Sequence, residues 1–447
     1  MNSLNHPQNQ AMKTNPLIHH VLLAVASTGL SLAQAPIPQP PHSGQPLPPN
    51  GPQQAAPFHG QPLQRTAMRP RPSHRPMAPV TRPARPSDPL PGLSADLLLA
   101  FSDGFEEFTK EETADGGLGP IFNQSSCVTC HLQGGTGGAS DITVTRFGRV
   151  ERGLFDSLDS LGGSLLQALS IDPAAREFVP REANIVSHRQ TTPLFGLGLV
   201  EAIPESTILA GVRSGKPDGV KGKAHLVTDV VSGKTMVGRF GWKAQQATLL
   251  AFSADAYVNE MGVTNRFFPT ENAPNGKADV LAAFDKVADP EDSIDPATGK
   301  ADIDHSADFM RFLAPVRPLP LSDSANAGKT VFQSTGCAVC HTPRMFTGPN
   351  DIPALNQKAV DLYSDLLLHD MGILGDGIAQ GEASGREFKT PPLWGARVSA
   401  PYLHDGRAPT LDAAIRAHDG EGAASKIRYT KLSVQQRQQL LDFINTL

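Results

Sequence analysis

The chain reads Cys-Val-Thr-Cys-His at residues 127–131 and Cys-Ala-Val-Cys-His at residues 337–341. These two segments contain all four cysteines of the 447-residue sequence. Two thiols at this spacing can form thioethers to the two vinyl groups on one haem edge, and the adjacent histidine then reaches the iron. The sequence therefore predicts two covalently bound haem c groups. The predicted attachment residues are Cys127, Cys130, His131, Cys337, Cys340 and His341.

Other uses of paired cysteines fit this sequence less well. A redox-active Cys-x-x-Cys would lie in a thioredoxin-like βαβ pattern, which is absent here. A zinc site built from four cysteines needs closely spaced ligands, whereas about 200 residues separate the two pairs. Structural disulfides would not require a histidine directly after each pair. The haem interpretation is the one that uses every residue of both segments.

The N-terminal part of the chain predicts export rather than folding. Residues 1–35 are typical of a signal peptide, because the apolar run Val21–Ala33 ends in Ala33-Gln34-Ala35. Residues 36–90 are rich in proline and have no hydrophobic period, which predicts a disordered linker. The net charge of −5, from 39 basic and 44 acidic residues, gives no indication of nucleic-acid binding. We expect a periplasmic protein with no membrane span.

Helical patterns precede both haem segments and end the chain. Ser94 is a predicted N-cap for a helix whose apolar residues recur at helical spacing: Leu97, Leu98, Phe101, Phe105 and Phe108. A second helix is predicted around Ala325–Gln333, and a capped helix over Ser433–Leu447 closes the chain. Another possible helix, Lys243–Asn259, interrupts a stretch that is otherwise rich in loops. A helix before each haem segment and a helix at the end are typical of cytochrome c domains.

A weak internal repeat supports two related halves. The sequence Thr-Thr-Pro-Leu-Phe-Gly at residues 191–196 follows the first haem segment, and Thr-Pro-Pro-Leu-Trp-Gly at 390–395 follows the second. The predicted fold is mostly α, with two cytochrome c-like haem domains. The first spans residues 91–320 and contains a loop-rich insertion at 207–305, and the second spans 321–447.

Longer stretches of the sequence resemble a known family. The run KTPPLWGARVSAPYLHDGRAPTLDAAIRAHDG, residues 389–420, resembles the C-terminal signature of bacterial di-haem cytochrome c peroxidases and MauG-like proteins. Three blocks, GLGPIFNQSSCVTCH, TTPLFGLGLVEAIP and LLLHDMGILGDG, together resemble the di-haem oxidoreductase (putative peroxidase) family. These blocks are distributed over residues 95–447.

The resemblance implies ligands for the C-terminal haem. In the peroxidases a distal methionine stands fourteen positions after the histidine of a Pro-aromatic-x-His motif. That histidine corresponds to His404 here, and the residue at the methionine position is His418. The resemblance thus implies that His341 and His418 ligate this iron, with a lower potential than a His/Met pair would give. It also places His404 near this haem, as a candidate catalytic residue that is not a ligand.

The N-terminal haem is matched less fully. The peroxidases have catalytic Gln and Glu residues after the first Pro-containing turn, which implies Glu201, or alternatively Glu205, as the acid/base. The distal position of this iron is predicted to be open, or occupied by His188 or Met261. The family holds calcium at an Arg-Asn turn, and this chain has Arg-Gln at 189–190 instead. The resemblance therefore gives no support for calcium at that turn.

The sequence predicts a periplasmic di-haem c-type oxidoreductase, most simply a peroxidase-like enzyme. One haem would react with peroxide or a small oxidant, and the other would transfer electrons from a periplasmic donor such as a small cytochrome or cupredoxin. Two alternatives stay open. The chain could be a non-catalytic di-haem electron-transfer protein, or a relative that oxygenates an organic substrate or oxidises thiols.

Overall fold

The computed structural model describes residues 84–213 and 215–447. The predicted signal peptide, 1–35, and residues 36–83 of the predicted linker lie outside the described residues. The end of the predicted linker is ordered, because the amide of Leu90 donates to the carbonyl of Phe312 at 2.6 Å. Leu90 is also buried in the apolar core. The folded part therefore includes residues that were predicted to belong to the linker, since Leu90 gains by burial.

Helices are the main regular element of the described residues, which confirms the predicted α character at this coarse level. Eleven α-helices form there: α1, Ala95–Thr109; α2, Cys127–Cys130; α3, Leu197–Glu201; α4, Glu205–Arg213; α5, Leu249–Ala256; α6, Ala278–Phe284; α7, Asp302–Phe312; α8, Asp323–Ser334; α9, Leu411–Ala417; α10, Ala423–Lys431; and α11, Val434–Ile444. A π-helical turn, Tyr257–Met261, continues α5.

The first predicted helix is confirmed as α1, and it packs against α7. The Ser94 hydroxyl accepts a hydrogen bond from the amide of Leu97, as the predicted N-cap requires. Phe101 is fully buried, and its ring centroid lies 5.5 Å from that of Phe309 in α7. Phe108 lies closer still, at 4.5 Å from Phe309. This aromatic contact holds the helix that leads into the first haem segment.

The second and last predicted helices are confirmed as α8 and α11, and they pack on each other. A capping box starts α11: the Ser433 hydroxyl accepts from the amide of Gln436, whose side chain accepts from the amide of Ser433. Gly328 in α8 allows the two helices to approach closely, because a Cβ there would lie 1.9 Å from the Gln439 carbonyl oxygen. This pair forms the C-terminal apolar cluster around Phe332 and Phe443.

Twelve short strands also occur in the described residues, and the sequence analysis did not predict them. They are β1, Ile121–Phe122; β2, Thr143–Glu151; β3, Leu154–Asp156; β4, Leu165–Leu166; β5, Leu169–Ser170; β6, Ile185–Gln190; β7, Leu226–Thr228; β8, Thr235–Val237; β9, Met345–Phe346; β10, Ala359–Val360; β11, Leu368–Asp370; and β12, Glu387–Lys389. All pairs are antiparallel. The largest sheet joins β2 to β3, β4 and β6, and the β2–β6 register places Thr145 opposite His188.

The main apolar core crosses the predicted domain boundary. One cluster contains Phe101 and Phe309 from the first predicted domain and Leu362 and Trp394 from the second. Leu249, inside the predicted insertion 207–305, is fully buried in the same cluster. The boundary predicted between residues 320 and 321 therefore does not coincide with a gap in the core. The insertion carries α4, α5 and α6, so it is less loop-rich than predicted.

The two repeated turns lie against each other. Gly196 ends the first turn with a φ of +71°, and a Cβ at that position would lie 2.8 Å from Cζ2 of Trp394 in the second turn. A glycine is therefore needed at residue 196 both for the backbone conformation and for the approach of the indole ring. Trp394 is buried, which agrees with a core position for this tryptophan.

None of the helices formed by the described residues combines the length and the apolar character that a membrane crossing requires.

Candidate haem sites

The first haem segment forms α2, and His131 follows directly as its C-cap. The Nδ1 atom of His131 lies 3.0 Å from the carbonyl oxygen of Gly138. A carbonyl only accepts hydrogen bonds, so Nδ1 carries the proton. Burial lowers the pKa of His131 to about 4, which keeps the imidazole neutral at physiological pH. The neutral ring then has its lone pair on Nε2, as a metal ligand requires.

The second haem segment has the same arrangement and a second histidine. The Nδ1 atom of His341 lies 3.0 Å from the carbonyl oxygen of Tyr363. The Nδ1 atom of His418, which ends α9, lies 2.8 Å from the carbonyl oxygen of Ala414. Burial lowers the pKa of His341 to about 4, and the proximity of His418 lowers it further in the same direction. Both rings therefore present the lone pair of Nε2.

His341 and His418 line one cavity of about 290 Å³, together with Cys337 and Cys340. The remaining lining is mostly apolar and includes three cationic residues, Arg239, Lys389 and Lys426. Two thiols, two neutral imidazoles, apolar walls and nearby cations suit a haem, whose macrocycle is apolar and whose propionates are anionic. The donor set of this segment therefore fits a c-type haem.

His404 lies in the wall of the same cavity. Its ring stacks on Phe388, with ring centroids 4.2 Å apart, and Trp242 meets it edge-on at 6.4 Å. The Nε2 atom is buried, lies 3.9 Å from a carboxylate oxygen of Asp405 and has no hydrogen-bond partner. Burial lowers the pKa of His404 to about 4. The structure thus places His404 beside the candidate haem cavity, and its catalytic part stays a prediction.

Glu201 and Glu205, predicted as acid/base candidates, bind structural groups. The Glu201 carboxylate accepts a hydrogen bond from the amide of Leu249 at 2.7 Å and pairs with the Arg311 guanidinium at 2.9 Å. Glu205 accepts a hydrogen bond from the amide of Val237 at 2.8 Å. Glu201 therefore fixes the start of α5 and its contact with α7, and the structure does not bring it to the cavity described above.

A different carboxylate lies near the first haem segment. The backbone carbonyl of Glu260 accepts hydrogen bonds from the backbone amides of Asn123 and Gln124, just before Cys127. The charge of Glu260 also adds to burial in raising the pKa of the Cys130 thiol. The side-chain amide of Asn123 donates a hydrogen bond to the Glu260 carboxylate at 2.7 Å. Burial raises the pKa of Glu260 above its ordinary value, and it raises the pKa of the neighbouring Asp255 to about 6. These two carboxyl groups hold protons more readily than exposed ones do.

The sequence analysis missed Glu260, although it selected the adjacent Met261. Both residues lie in the π-helical turn, a feature that occurs frequently at functional sites. Met261 is buried in an apolar cluster against which Cys127 packs. His188, the other predicted distal residue, is exposed on β6, and its Nδ1 atom lies 3.3 Å from the Thr145 hydroxyl. Met261 thus lies in the apolar cluster that Cys127 contacts, and His188 lies at the surface.

A buried ion cluster occupies the turn where the resemblance gave no support for calcium. The Arg189 guanidinium pairs with Asp376 at 2.7 Å, and the Lys243 ammonium lies 3.3 Å from the same carboxylate. Lys243 also lies over the ring of Phe388, 3.8 Å from its centroid. Two cationic side chains already compensate the Asp376 charge, so this turn does not suit a further cation.

Comparison with known proteins identifies the family. Residues 179–447 match the family model described as "Di-haem oxidoreductase, putative peroxidase". The chain belongs to this family. The family is one of two-haem proteins, and the match includes the second haem segment, while the first precedes the matched residues.

Individual relatives of this di-haem oxidoreductase are distant. MauG, the methylamine utilization protein of Methylorubrum extorquens, is 29% identical over 125 residues, which cover 25% of this chain and 31% of that protein. The alignment thus spans about a third of the length of this curated relative.

Three solved structures are also similar to this di-haem oxidoreductase. Hydrazine synthase of Kuenenia stuttgartiensis has 16% identity and a TM-score of 0.37, covering 87% of this chain and 100% of that one. A MauG-like protein associated with microbial copper homeostasis has 18% identity and a TM-score of 0.36, covering 84% and 95%. A variant of the diheme peroxidase of Burkholderia thailandensis has 12% identity and a TM-score of 0.35, covering 78% and 85%.

Proposed function

We propose that this di-haem oxidoreductase reacts with peroxide or another small oxidant at an N-terminal haem c and transfers electrons through a C-terminal haem c. The proposal depends on the different side chains at the two segments. His341 and His418 line one cavity, whereas the group identified near the first haem segment is the carboxyl group of Glu260. A haem iron with two strong ligands supplies electron transfer, and one with a free position supplies chemistry on small oxidants.

The attachment residues in this proposal are those that the sequence predicts. Cys127 and Cys130 would form the thioethers of the first haem, and Cys337 and Cys340 those of the second. His131 and His341 would be the proximal ligands, and His418 the second ligand of the C-terminal haem. The hydrogen bonds from Nδ1 to backbone carbonyls support this assignment, because they orient each ring and leave Nε2 to ligate.

We assign proton transfer at the N-terminal site to Glu260. Burial raises its pKa above the ordinary value of a glutamate, so it holds a proton more readily, and Asn123 fixes its orientation. Glu201, which the resemblance implied, would first have to leave the Arg311 guanidinium and the amide of Leu249. His404 is a second predicted residue, and its unpartnered Nε2 supports a place beside the C-terminal haem.

Export and the electron donor complete the proposal. The signal-peptide pattern at residues 1–35 supports a periplasmic location, where c-type haems are attached. The donor would be a small periplasmic cytochrome or a cupredoxin, and the substrate a small oxidant.

The first test is electron paramagnetic resonance of the protein produced with c-haem maturation. We expect covalent haem at both segments, with one high-spin ferric signal from the N-terminal iron in the oxidised or half-reduced state. Cys337→Ala should lose one of the two haems, and His418→Ala should convert the C-terminal iron from low-spin to high-spin. Two low-spin signals in the oxidised state, and only low-spin iron after half-reduction, would contradict the enzyme and indicate an electron carrier.

The second test separates Glu260 from Glu201. Glu260→Gln should lower the rate of peroxide reduction about 10²–10⁴-fold without loss of either haem, because general acid–base catalysis contributes about that much. Glu182→Gln, at an exposed position, is the matched control and should leave the rate unchanged. If Glu201→Gln lowers the rate at unchanged stability and Glu260→Gln does not, the assignment to Glu260 is wrong.

A further inference from the structure

A group of carboxylates lies in the segment between the π-helical turn and α7, away from both haem segments in sequence. One carboxylate oxygen each from Glu271, Asp285 and Glu291 lie within 4.8 Å of one another. Asp289 is a fourth member, because its carboxylate and that of Glu291 contact the same Thr264 hydroxyl. All the side chains of this group offer oxygen, and none offers nitrogen or sulphur.

Glu271 is the buried member of the group. Its exposed fraction is only 8%, and neither of its carboxylate oxygens has a hydrogen-bond partner. A buried carboxylate without a donor is costly, because the lost hydration is not replaced. Asp289 and Glu291 share the hydroxyl of Thr264, and Glu291 also accepts from the Thr264 amide at 2.9 Å, so one residue supplies the donors for both carboxylates. These acidic side chains therefore need more positive charge than the surrounding protein groups give them.

A second carboxylate cluster in the same protein shows how such a need can be met. Glu107, Glu112 and Asp302 also bring their oxygens within 4.8 Å of one another. The Lys110 ammonium lies among them, 2.8 Å from Glu112 and 3.0 Å from Asp302.

The group around Glu271 has no such lysine. Within residues 84–213 and 215–447, no lysine or arginine forms an ion pair with its four carboxylates. The charges that act on Glu271 come from Glu291, Asp285 and Asp289. Burial and these like charges raise the pKa of Glu271 to about 9, and that of Glu291 to about 7. Without a cation these carboxyl groups therefore hold protons more readily than ordinary ones do.

We propose that Glu271, Asp285, Asp289 and Glu291 bind a hard divalent cation, with calcium as the best match. Calcium takes oxygen ligands at 2.3–2.6 Å, so two ligands of one ion are at most about 5 Å apart, as the oxygens here are. Zinc and copper prefer nitrogen or sulphur ligands, which this group lacks. The site is separate from the Arg189–Asp376 turn, and it does not depend on the proposed oxidoreductase function.

The ion would join two parts of one segment and fix the start of α7. Glu291 is followed by Asp292, whose carboxylate accepts a hydrogen bond from the amide of Ile303 in the first turn of α7. Helix α7 in turn carries Phe309, which packs against Phe108. The Phe108 ring lies 5.8 Å from that of His131. The cation is thus expected to stabilise the helix pair beside the first haem segment.

The test uses the full-length holoprotein after removal of metals with EGTA. Isothermal titration with calcium chloride should show a site that Glu271→Gln removes or weakens at least about tenfold. Asp285→Asn should weaken the same site. Because Asp285 is less buried than Glu271, this variant still tests the site if Glu271→Gln does not fold. Glu182→Gln is the control for the loss of one surface charge. A calcium site elsewhere in the chain would persist in all three variants. The proposed site is therefore measured by the difference in calcium binding between each variant and the unchanged protein.

Thermal unfolding gives a second readout, in which Glu271→Gln has opposite effects relative to the unchanged protein in EGTA and in calcium. In EGTA, Glu271→Gln should raise the melting temperature, because a neutral amide can be buried beside the other carboxylates without first taking up a proton. In calcium, the unchanged protein should gain melting temperature and the variant should not. If calcium binds equally to the unchanged protein and to both variants, or binds to none of them, the proposed site does not exist.

Discussion

Asp376 offers a sharp test of how buried charge stabilises this fold. Its carboxylate is fully buried, and so is the Lys243 ammonium, 3.3 Å away. The Arg189 side chain, 2.7 Å away, is only 5% exposed. Asp376→Asn keeps the size of the side chain and removes its charge, which leaves both cations without a counter-ion. Lys243 keeps its hydrogen bonds to the carbonyls of Ser384 and Glu387, at 2.9 and 2.6 Å.

Breaking a buried ion pair by removal of one partner costs about 3–5 kcal/mol, because an uncompensated charge remains in a region of low dielectric. We expect Asp376→Asn to lower the free energy of unfolding by an amount within this range, because two cations lose the same partner while Lys243 retains two carbonyl acceptors. The matched control is Asp361→Asn. Asp361 pairs with Arg344 at the surface, where the two side chains are 45% and 54% exposed. Such exposed pairs contribute about 0–1 kcal/mol.

Urea unfolding followed by circular dichroism measures both variants against the unchanged protein. A lower midpoint with an unchanged m-value would report the loss of stability directly. Should Asp376→Asn cost no more than Asp361→Asn, the buried cations must be compensated by other groups, and the reasoning from burial fails.

Three further predictions concern packing, capping and pH. Gly328→Ala should destabilise the protein by at least about 1–3 kcal/mol in urea unfolding, because its Cβ would lie 1.9 Å from the Gln439 carbonyl. Ser433→Ala should cost about 1 kcal/mol by the same assay, through loss of the cap of α11, and Ser433→Asp should restore most of it. Burial alone would lower the pKa of His369, but its hydrogen bonds, above all to Asp365, raise it to about 11. The contribution of His369 to the free energy of unfolding is therefore complete below pH 6.5 and is lost as the pH rises towards 11. His369→Gln should accordingly make the free energy of unfolding decline less steeply between about pH 7 and 10.

The elements that could be predicted are those whose signals are local. Ser94, Ser433 and the apolar periodicity gave three helices, because caps and helical spacing act over one or two turns. The possible helix at Lys243–Asn259 forms only from Leu249, since the Thr248 hydroxyl accepts from the amide of Ala251 and starts the helix there. The pairing of β2 with β6 was missed because it joins parts of the chain that local patterns do not connect. The β2–β3 hairpin is local, and its two-residue turn at Arg152-Gly153 is the signal that could have revealed it.

The candidate sites divide in the same way. The attachment residues follow from a five-residue pattern, and the resemblance led to His418, which lines a cavity with His341. Glu201 was chosen by its place after a turn, and its contacts with Arg311 and Leu249 depend on distant parts of the chain. Glu260 could have been found as the polar neighbour of Met261, but its hydrogen bonds to Asn123 and Gln124, just before Cys127, arise only in the tertiary fold.

The contact between Gly196 and Trp394 has a consequence for how such a protein can diverge. Gly196 is the last residue of the first repeated turn, and Trp394 is the next-to-last residue of the second, so each turn forms part of the other's environment. A larger side chain at one position must be matched by a smaller one at the other, and the two halves have to change together. A gene that encoded either half alone would lose half of this interface, which favours inheritance of the pair as one unit.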